Sequence, residues 1–307
     1  MAHRALTAHA HDRAWLSMAE RGSVLGLRII TWLSSAVGRT PARFVVRFVA
    51  LYYLVFDVAT RRASRDYLMR VHGKATLAMR YGHVLRFAEV TLDRAFIVAG
   101  KERYFDVSCN GDEHISQLKK SRRGAVLLGA HVGSFEAMRM QGKKESLRIH
   151  VLGHFSNARM INAALERLNP SANTSVISIG DSNPDFVLRI RESVESGDLI
   201  GILGDRVGRL GRSARVKFLG EDASFPTGAY LMASILRCPI YLTFALYRAP
   251  NRYELYCEPF EDEVHLPRDH RDEALAAYAQ KFACRLEYFV RRAPDNWFNF
   301  YDFWERS

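Results

Sequence analysis

The sequence lacks an uncharged apolar run long enough to cross a bilayer as a helix. Such a helix needs about 20 mostly apolar residues, whereas within the apolar stretch 23–56 the longest uncharged runs, at 29–38 and 48–56, reach roughly half that length. The first twenty residues also lack the apolar core and small-residue cleavage site of a secretory signal, because histidine and charged side chains interrupt them. We therefore expect the chain to stay on the side of the membrane where it is made.

Cysteine is scarce, with four residues that lie far apart: Cys109, Cys238, Cys257 and Cys284. Their spacing fits neither a metal site nor a disulfide framework. We expect reduced thiols in the core, a cytosolic compartment and no bound metal.

Acidic side chains are outnumbered, since 33 Asp and Glu face 44 Lys and Arg and leave a net charge of +11. This excess predicts an anionic partner, which could be nucleic acid, an acidic membrane surface or an acidic protein. The chain has no zinc-ligand spacing, no aromatic RNA-binding signature and no lysine-rich tail. Because many arginines stand beside apolar runs, anionic lipid is favoured over nucleic acid.

The stretch 23–56 is apolar but interrupted by Arg28, Arg39, Arg43 and Arg47. Arginines at the margins of an apolar face can reach lipid headgroups, and Trp32, Tyr52 and Tyr53 suit that depth. We expect residues 1–60 to be a helical segment that associates with a membrane and residues 61–307 to form a separate domain. Two alternatives are an ordinary pair of core helices joined at 38–41 and a short tilted span anchored at Arg47.

Strand-like and helix-like stretches alternate after residue 124, which predicts an α/β fold with a mixed, mostly parallel sheet flanked by helices. We expect strands at 148–155, 174–179 and 198–204, a hairpin at 238–247 and 252–260, and helices at 158–168, 184–196 and 271–292. Upstream, a helix spans 63–98 with breaks near Gly73 and Gly82. Asn110 would cap a further helix that ends in the basic run 119–123, a possible docking patch for an acidic group.

The stretch 124–138 carries the chemistry. A short apolar run bounded by glycine predicts a buried strand, and Ser134 would cap the helix that follows. His131 then lies at the carboxyl end of the strand, and Glu136 in the first helical turn can fold back toward it. An imidazole oriented by a carboxylate is a general base, so the nucleophile would be a substrate hydroxyl. The alternative is a structural histidine beside a surface glutamate.

The segment Gly129-Ala-His-Val-Gly-Ser-Phe-Glu136 resembles the H-x4-[D/E] signature of glycerolipid-type acyltransferases, and more closely the branch that acylates lipid A precursors. Further stretches resemble that branch in the same order: 201–207, 225–229 and the aromatic end 297–304. The likeness extends from about Arg21 to the end of the chain.

This resemblance implies an O-acyltransferase that moves a fatty acyl group from acyl carrier protein to a hydroxyl of a lipid-linked acceptor. The acyl thioester is then a co-substrate, and no cofactor is needed. The acceptor would be a lipid A precursor or related glycolipid, with a polyene lipid or a lysophospholipid as alternatives, and coenzyme A is the alternative donor. The expected place is the cytoplasmic face of the inner membrane, bound peripherally or monotopically. A thioesterase and a non-catalytic membrane-surface binding protein are the competing functions.

Substrate-binding residues follow from strand ends and from the resemblance. Asp205 and Arg206 come directly after an apolar strand, where open α/β sheets bind ligands. We expect these two residues in the active-site wall, with Arg209 as a weaker candidate for a phosphate contact. The resemblance adds Thr227 and Gly228 at the start of a helix, and Asn157 and Arg159 near the acyl substrate. The terminal aromatic residues are expected to pack onto the core, although a membrane-facing role is possible.

Overall fold

The computed structural model describes residues 38–153, 176–178, 185–208 and 211–304. The helices of this part are α1 (Arg39–Phe56), α2 (Val58–His72), α3 (Leu77–Val98), α4 (Asp112–Ser121), α5 (Phe135–Lys144), α6 (Asp185–Glu195), α7 (Gly228–Leu236) and α8 (Arg271–Arg292). The strands are β1 (Asp106–Asn110), β2 (Ala125–Gly129), β3 (Ile149–Gly153), β4 (Val176–Ser178), β5 (Leu199–Leu203), β6 (Ser213–Phe218), β7 (Glu221–Pro226), β8 (Ile240–Arg248) and β9 (Arg252–Glu261). Short 3-10 turns lie at Glu102–Tyr104 and Pro294–Asn296.

Within the described ranges, seven strands form one sheet in the order β1-β9-β8-β2-β5-β3-β4. Five of its six strand pairings are parallel, and only β8 with β9 is antiparallel. The predicted mixed, mostly parallel sheet is therefore confirmed. The strand β2 lies in the middle of the sheet and every one of its residues is buried, as its unbroken apolar sequence predicts.

Helices cover both faces of the sheet around β2. Val126 and Leu128 belong to the largest hydrophobic cluster, which includes Phe282 and Phe289 of α8. The alternate residues Ala125 and Leu127 pack on the other face with Leu118 of α4 and with Phe135 of α5. This alternation follows from the two-residue period of a strand and fixes β2 rigidly between two helical layers.

Two strand elements were not anticipated from the sequence. The hairpin β6–β7 forms a separate two-stranded sheet, and β1 pairs with β9 at the edge of the main sheet. Asn110 is the last residue of β1, where its side-chain amide donates to the Leu255 carbonyl oxygen, so the prediction that it caps α4 is wrong. Gly111 occupies the cap position with φ +88°, and a Cβ there would lie 1.9 Å from the Cys257 carbonyl oxygen. Only glycine fits that close approach.

The long helical stretch predicted at 63–98 is two helices. It breaks at Gly73, which has the left-handed conformation that ends a helix, whereas α3 passes through Gly82 without interruption. Asp57 caps α2 by accepting hydrogen bonds from the next backbone amides, and Thr76 caps α3.

The helix α1 packs against α3 and is tied to it by ion pairs. Arg39 binds Asp93 through two hydrogen bonds of 2.8 Å, and Arg43 binds Glu89. The prediction that Arg39 and Arg43 reach lipid headgroups is therefore wrong, because buried carboxylates hold both side chains. Arg47 is exposed, whereas Arg28 and Trp32 lie outside the described residues. The division proposed at residue 60 falls inside α2.

The aromatic end of the chain packs onto the core, as predicted. Trp297, Phe303 and Trp304 are buried and contact the Phe218 ring of β6. These buried rings are not available for a membrane-facing role. Cys238 and Cys257 are buried free thiols, but Cys284 is exposed and does not belong to the core. Across the described ranges, no helix combines the length and apolar character needed to span a bilayer.

Candidate active site

The turn between β2 and α5 holds His131 at the carboxyl end of β2. Gly133 has φ +63°, and a Cβ at this position would lie 1.7 Å from the carbonyl oxygen of Ala245, so only glycine allows the turn. The Ser134 hydroxyl oxygen accepts from the backbone amide of Ala137 at 3.2 Å, which confirms the predicted cap of α5. The turn therefore places His131 two residues after β2, with its side chain 25% exposed.

Asp205 is the carboxylate that contacts His131. The imidazole Nδ1 lies 2.7 Å from Asp205 Oδ1, and the backbone amide of His131 donates to Asp205 Oδ2 at 3.0 Å. The contact arises because β5 pairs in parallel with β2, Leu203 opposite Gly129, and each residue follows its strand by two positions. With Nδ1–H donating to the carboxylate, Nε2 of the ring has an unprotonated lone pair that can accept a proton.

Glu136 does not orient His131. Its carboxylate forms an ion pair with Nε of Arg94 at 2.7 Å, and between the two described residues Glu136 and His131 no hydrogen bond forms. The Glu136 side chain is directed elsewhere, because the first turn of α5 faces α3, where Arg94 is located. In addition, the Nδ1 atom of His131 is already hydrogen-bonded to Asp205. The predicted pairing is therefore wrong, while a catalytic contribution of Glu136 stays a prediction.

Electrostatics keep the histidine neutral and the aspartate ionised. Burial lowers the pKa of His131, the Arg206 guanidinium lowers it further, and the Asp205 carboxylate only partly offsets them. Burial alone would raise the pKa of Asp205, but the His131 side chain, Arg206 and the His131 amide outweigh it and hold that pKa well below its usual range. At neutral pH the site therefore combines a neutral imidazole with a carboxylate, which is the state of a general base that is ready to act.

Two residues of the C-terminal segment complete the surroundings of Asp205 and were not predicted as site residues. The indole Nε1 of Trp297 donates to Asp205 Oδ2 at 3.0 Å, and the side-chain amide of Asn299 donates to the same oxygen at 2.8 Å. Both residues are buried. A signal was present in the sequence, since Asn299 is a polar residue between two phenylalanines in a block otherwise expected to pack.

Arg206 lies beside this pair, as the prediction of an active-site wall requires. Its Nε donates to Asn299 Oδ1 at 2.6 Å and its Nη2 donates to the Phe298 carbonyl oxygen at 2.9 Å. Its guanidinium also lies 5.8 Å from the centroid of the Tyr301 ring. The Asn299 side chain, which accepts from Arg206, also donates to Asp205 and so links this positive charge to the carboxylate that holds the imidazole.

In the described part of the chain, no hydrogen bond or ion pair joins the remaining predicted substrate-binding residues to His131. Thr227 is buried, and its hydroxyl donates to the Arg212 carbonyl oxygen at 3.2 Å. Gly228 is exposed, and a Cβ there would meet nothing within 4 Å. Because α7 leads back to the start of β8, its amino end points toward the edge of the sheet where His131 lies. Asn157, Arg159 and Arg209 lie outside the described residues.

The basic run 119–123 lies at the wrong edge of the sheet to serve this site directly. It precedes β2, whereas His131 follows β2, so the five residues of that strand, roughly 17 Å, separate them. Two of its side chains are engaged locally, Lys119 with Glu145 at 3.5 Å and Arg123 with the Asp262 carbonyl oxygen at 3.3 Å.

Two comparisons with known proteins bear on the family of this chain. No match is found among curated proteins. The sequence profile described as bacterial lipid A biosynthesis acyltransferase matches residues 22–306, which include β2, β5, the His131 turn and the C-terminal segment. This match confirms the resemblance noted in the sequence and identifies the protein as an enzyme that transfers acyl groups. The chain belongs to the bacterial lipid A biosynthesis acyltransferase family.

Proposed function

We propose that the protein transfers a fatty acyl group from the thioester of acyl carrier protein to a hydroxyl of a lipid-linked acceptor, a lipid A precursor or a related glycolipid. The observation that carries this proposal is the partly exposed imidazole of His131, whose Nδ1 lies 2.7 Å from Asp205. Such a pair leaves Nε2 as the proton acceptor and stabilises the imidazolium once it forms.

The reaction proceeds by direct transfer. His131 Nε2 takes the proton of the acceptor hydroxyl while the hydroxyl oxygen attacks the thioester carbonyl carbon. The tetrahedral intermediate then expels the thiolate, which takes the proton from the imidazolium, and an ester and a free thiol result. Ser134 is committed to capping α5, so no protein nucleophile and no acyl-enzyme are needed in this scheme.

Arg206 supports the negative charge that forms on the carbonyl oxygen. Asn299 links this guanidinium to Asp205, the carboxylate that holds His131, and this linkage supports a place for the cation near the reacting oxygen. Phe298 and Asn299 hold it in place through hydrogen bonds of 2.9 and 2.6 Å. A fixed cation in a buried site stabilises an oxyanion without reorganising during the step.

The charge of the chain supports an acidic carrier protein as donor. The net charge is +11, and the exposed Arg94 and Arg212 lie on elements that reach the same edge of the sheet as His131. Coenzyme A is the alternative donor. A polyene lipid or a lysophospholipid is the alternative acceptor.

A membrane surface is the expected location, and α1 supports it. Phe44, Phe48, Tyr52 and Phe56 are each at least 59% exposed. Exposed cations on α1 and α2, at Arg47, Arg62 and Arg65, accompany this apolar face. Apolar side chains together with cations are the two components of stable attachment to an anionic bilayer. We therefore propose a peripheral enzyme on the cytoplasmic face of the inner membrane.

The proposal is tested with the full-length protein, acylated carrier protein and a lipid A precursor in detergent, followed by mass spectrometry of the lipid. We expect acylated product with the parent protein and a loss of roughly 10³-fold or more in His131→Ala. The matched control is His150→Ala. His150 also pairs with a carboxylate, Asp198 at 2.9 Å, but at the opposite edge of the sheet.

The competing functions give different results in the same assay. A thioesterase consumes the donor equally with and without acceptor. A binding protein binds the lipid but forms no product, and His131→Ala then changes nothing. Replacing the donor by acyl coenzyme A, or the acceptor by a lysophospholipid or a polyene lipid, distinguishes the alternative substrates.

A further inference from the structure

The side-chain amide of Asn299 connects the two charged residues beside His131. Its Nδ2 donates to Asp205 Oδ2 at 2.8 Å, and its Oδ1 accepts from Arg206 Nε at 2.6 Å. These contacts fix the orientation of the amide, because a flipped side chain would turn its NH2 group toward a guanidinium and its oxygen toward a carboxylate. Asn299 is only 2% exposed, so water cannot easily replace either bond.

The hydrogen bonds of Asp205 divide between its two oxygens. Oδ2 accepts from the His131 backbone amide, from Trp297 Nε1 and from Asn299 Nδ2, whereas Oδ1 accepts from His131 Nδ1. Each donor on Oδ2 stabilises the ionised carboxylate and makes it a weaker base. The carboxylate therefore holds the imidazole in position without taking its proton.

We propose that Asn299 is a positioning residue of the acyl transfer: its amide holds Asp205 and Arg206 in the arrangement in which His131 works as a base. This inference rests on the proposed role of His131 in the reaction. The hydrogen bonds of the Asn299 side chain go to Asp205 and Arg206, so its effect on the imidazole passes through these two charged neighbours.

The direction of the effect follows from the charged groups that act on His131 within the described part of the chain, which are Asp205 and Arg206. Removing the Asn299 donor makes Asp205 more basic and strengthens its attraction for the imidazolium. Removing the Asn299 acceptor releases Arg206, whose charge opposes protonation of His131. Both changes raise the pKa of His131, so more of it is protonated and unable to accept a proton near neutral pH.

The C-terminal segment does not depend on Asn299 for its position. The Phe298 amide donates to the His131 carbonyl oxygen at 2.8 Å, the Gly133 amide donates to the Asn296 carbonyl oxygen at 2.8 Å, and Val132 pairs with Trp297. A change at Asn299 should therefore alter the site while these backbone contacts persist.

The test compares Asn299→Leu, which removes both bonds at similar volume, with Asn299→Asp, which keeps an acceptor for Arg206 but adds a second anion beside Asp205. The control is Asn296→Leu. Asn296 is a fully buried asparagine of the same segment whose side-chain oxygen accepts from the Tyr247 amide, away from Asp205. Activity is measured against pH, and the pKa of His131 is measured by NMR of histidine-labelled protein, with its signal assigned by its absence in His131→Gln.

We expect Asn299→Leu to lower kcat roughly tenfold or more and to raise the His131 pKa by roughly one unit, with the acid limb of the pH profile moving by the same amount. Asn299→Asp should raise that pKa further, and Asn296→Leu should not shift it. An unchanged His131 pKa in Asn299→Asp or in folded Asn299→Leu overturns the proposal, as does an equal shift in Asn296→Leu. The NMR measurement needs no turnover, so failure of the proposed function, seen as no acyl transfer by the parent protein, is a separate result.

Discussion

Glu136 and Arg94 form an ion pair in which the Arg94 Nε lies 2.7 Å from the Glu136 carboxylate. The glutamate is 8% exposed and belongs to the first turn of α5, whereas the arginine belongs to α3 and has a half-exposed side chain. The pair therefore joins the helix that follows the His131 turn to the layer that carries α1. It also holds the glutamate of the H-x4-E motif away from the imidazole, which bonds to Asp205 instead.

The first prediction distinguishes the two carboxylates. Asp205→Asn removes the anion at Nδ1 of His131, so we expect kcat to fall roughly 10³-fold and the acid limb of the pH profile to move to lower pH. Glu136→Gln should leave the position of that limb unchanged, whatever its effect on kcat. If Glu136 acts through Arg94, Arg94→Gln and the double variant should lose about as much activity as Glu136→Gln alone. A shift of the acid limb in Glu136→Gln equal to that in Asp205→Asn would return Glu136 to the role of orienter.

The second prediction concerns stability against pH. His83 is buried with Nδ1 3.0 Å from the Ser64 hydroxyl and Nε2 2.8 Å from the Trp297 carbonyl oxygen, and burial lowers its pKa to about 4. As the pH falls, the unfolded chain protonates His83 before the folded protein does. The neutral His83 therefore makes its full contribution to the free energy of unfolding above about pH 6.5. This contribution, roughly 3 kcal/mol in total, is lost as the pH falls toward 4.

His83→Gln keeps a donor near the Trp297 carbonyl oxygen but does not titrate. Urea unfolding between pH 7 and pH 4.5 should therefore show a smaller loss of stability in this variant than in the parent protein. Part of the pH dependence of stability should remain in both the parent protein and His83→Gln, because the pKa of His131 is also lowered. The exposed His270→Gln is the control and should follow the parent protein. Parallel curves for all three proteins would contradict a neutral, buried His83.

The third prediction addresses the attachment of α1. Asp93 is fully buried and is neutralised by Arg39, with an additional hydrogen bond of 3.0 Å from the Tyr253 hydroxyl. Arg39→Met leaves this carboxylate without its cation, which should lower the free energy of unfolding by roughly 3–5 kcal/mol. Arg47→Met, on the exposed side of the same helix, should change it by less than about 1 kcal/mol. Adding Asp93→Leu to Arg39→Met should restore part of the loss, and a double variant less stable than the single one would argue against an unpaired charge as the cause.

The fourth prediction tests the lipid-facing role of α1 with point substitutions, because deleting residues 1–60 would also remove Arg39 and Arg43 from their buried partners. The triple variant Phe44→Glu, Phe48→Glu, Tyr52→Glu should lower sedimentation with anionic vesicles roughly tenfold or more. Its activity should fall more on bilayer-embedded acceptor than on detergent-dispersed acceptor.

The matched control replaces three apolar residues that are exposed on other helices: Val187→Glu, Leu188→Glu and Ile235→Glu. High salt should release little of the parent protein, because apolar insertion is not screened. Equal vesicle binding by the triple variant and the parent protein would show that α1 does not hold the protein on the lipid.

Local structure around the site could be derived from the sequence because short-range rules decide it. The unbroken apolar run of β2, the glycine at 133 and the capping Ser134 each specify one step of a strand, turn and helix. The same rules placed Asp205 at the end of β5 and bounded α8 at Arg271 and Arg292. For the Ser134 cap the deciding contact lies within a few residues along the chain, whereas the carbonyl oxygen of Ala245 is the distant contact that makes glycine necessary at 133.

Partner choice was decided by the tertiary structure. His131 could reach a carboxylate five residues away by local geometry, yet it bonds to Asp205, 74 residues away, because β2 and β5 are neighbours in the sheet. Trp297 and Asn299 reach the same carboxylate from the end of the chain, and Arg94 takes Glu136. With 44 cationic and 33 acidic side chains, many pairings are electrostatically acceptable, so charge alone selects none of them. The sequence by itself determined the strand, the turn and the place of His131 on it, and the burial of both faces of the sheet decided which side chains surround that histidine.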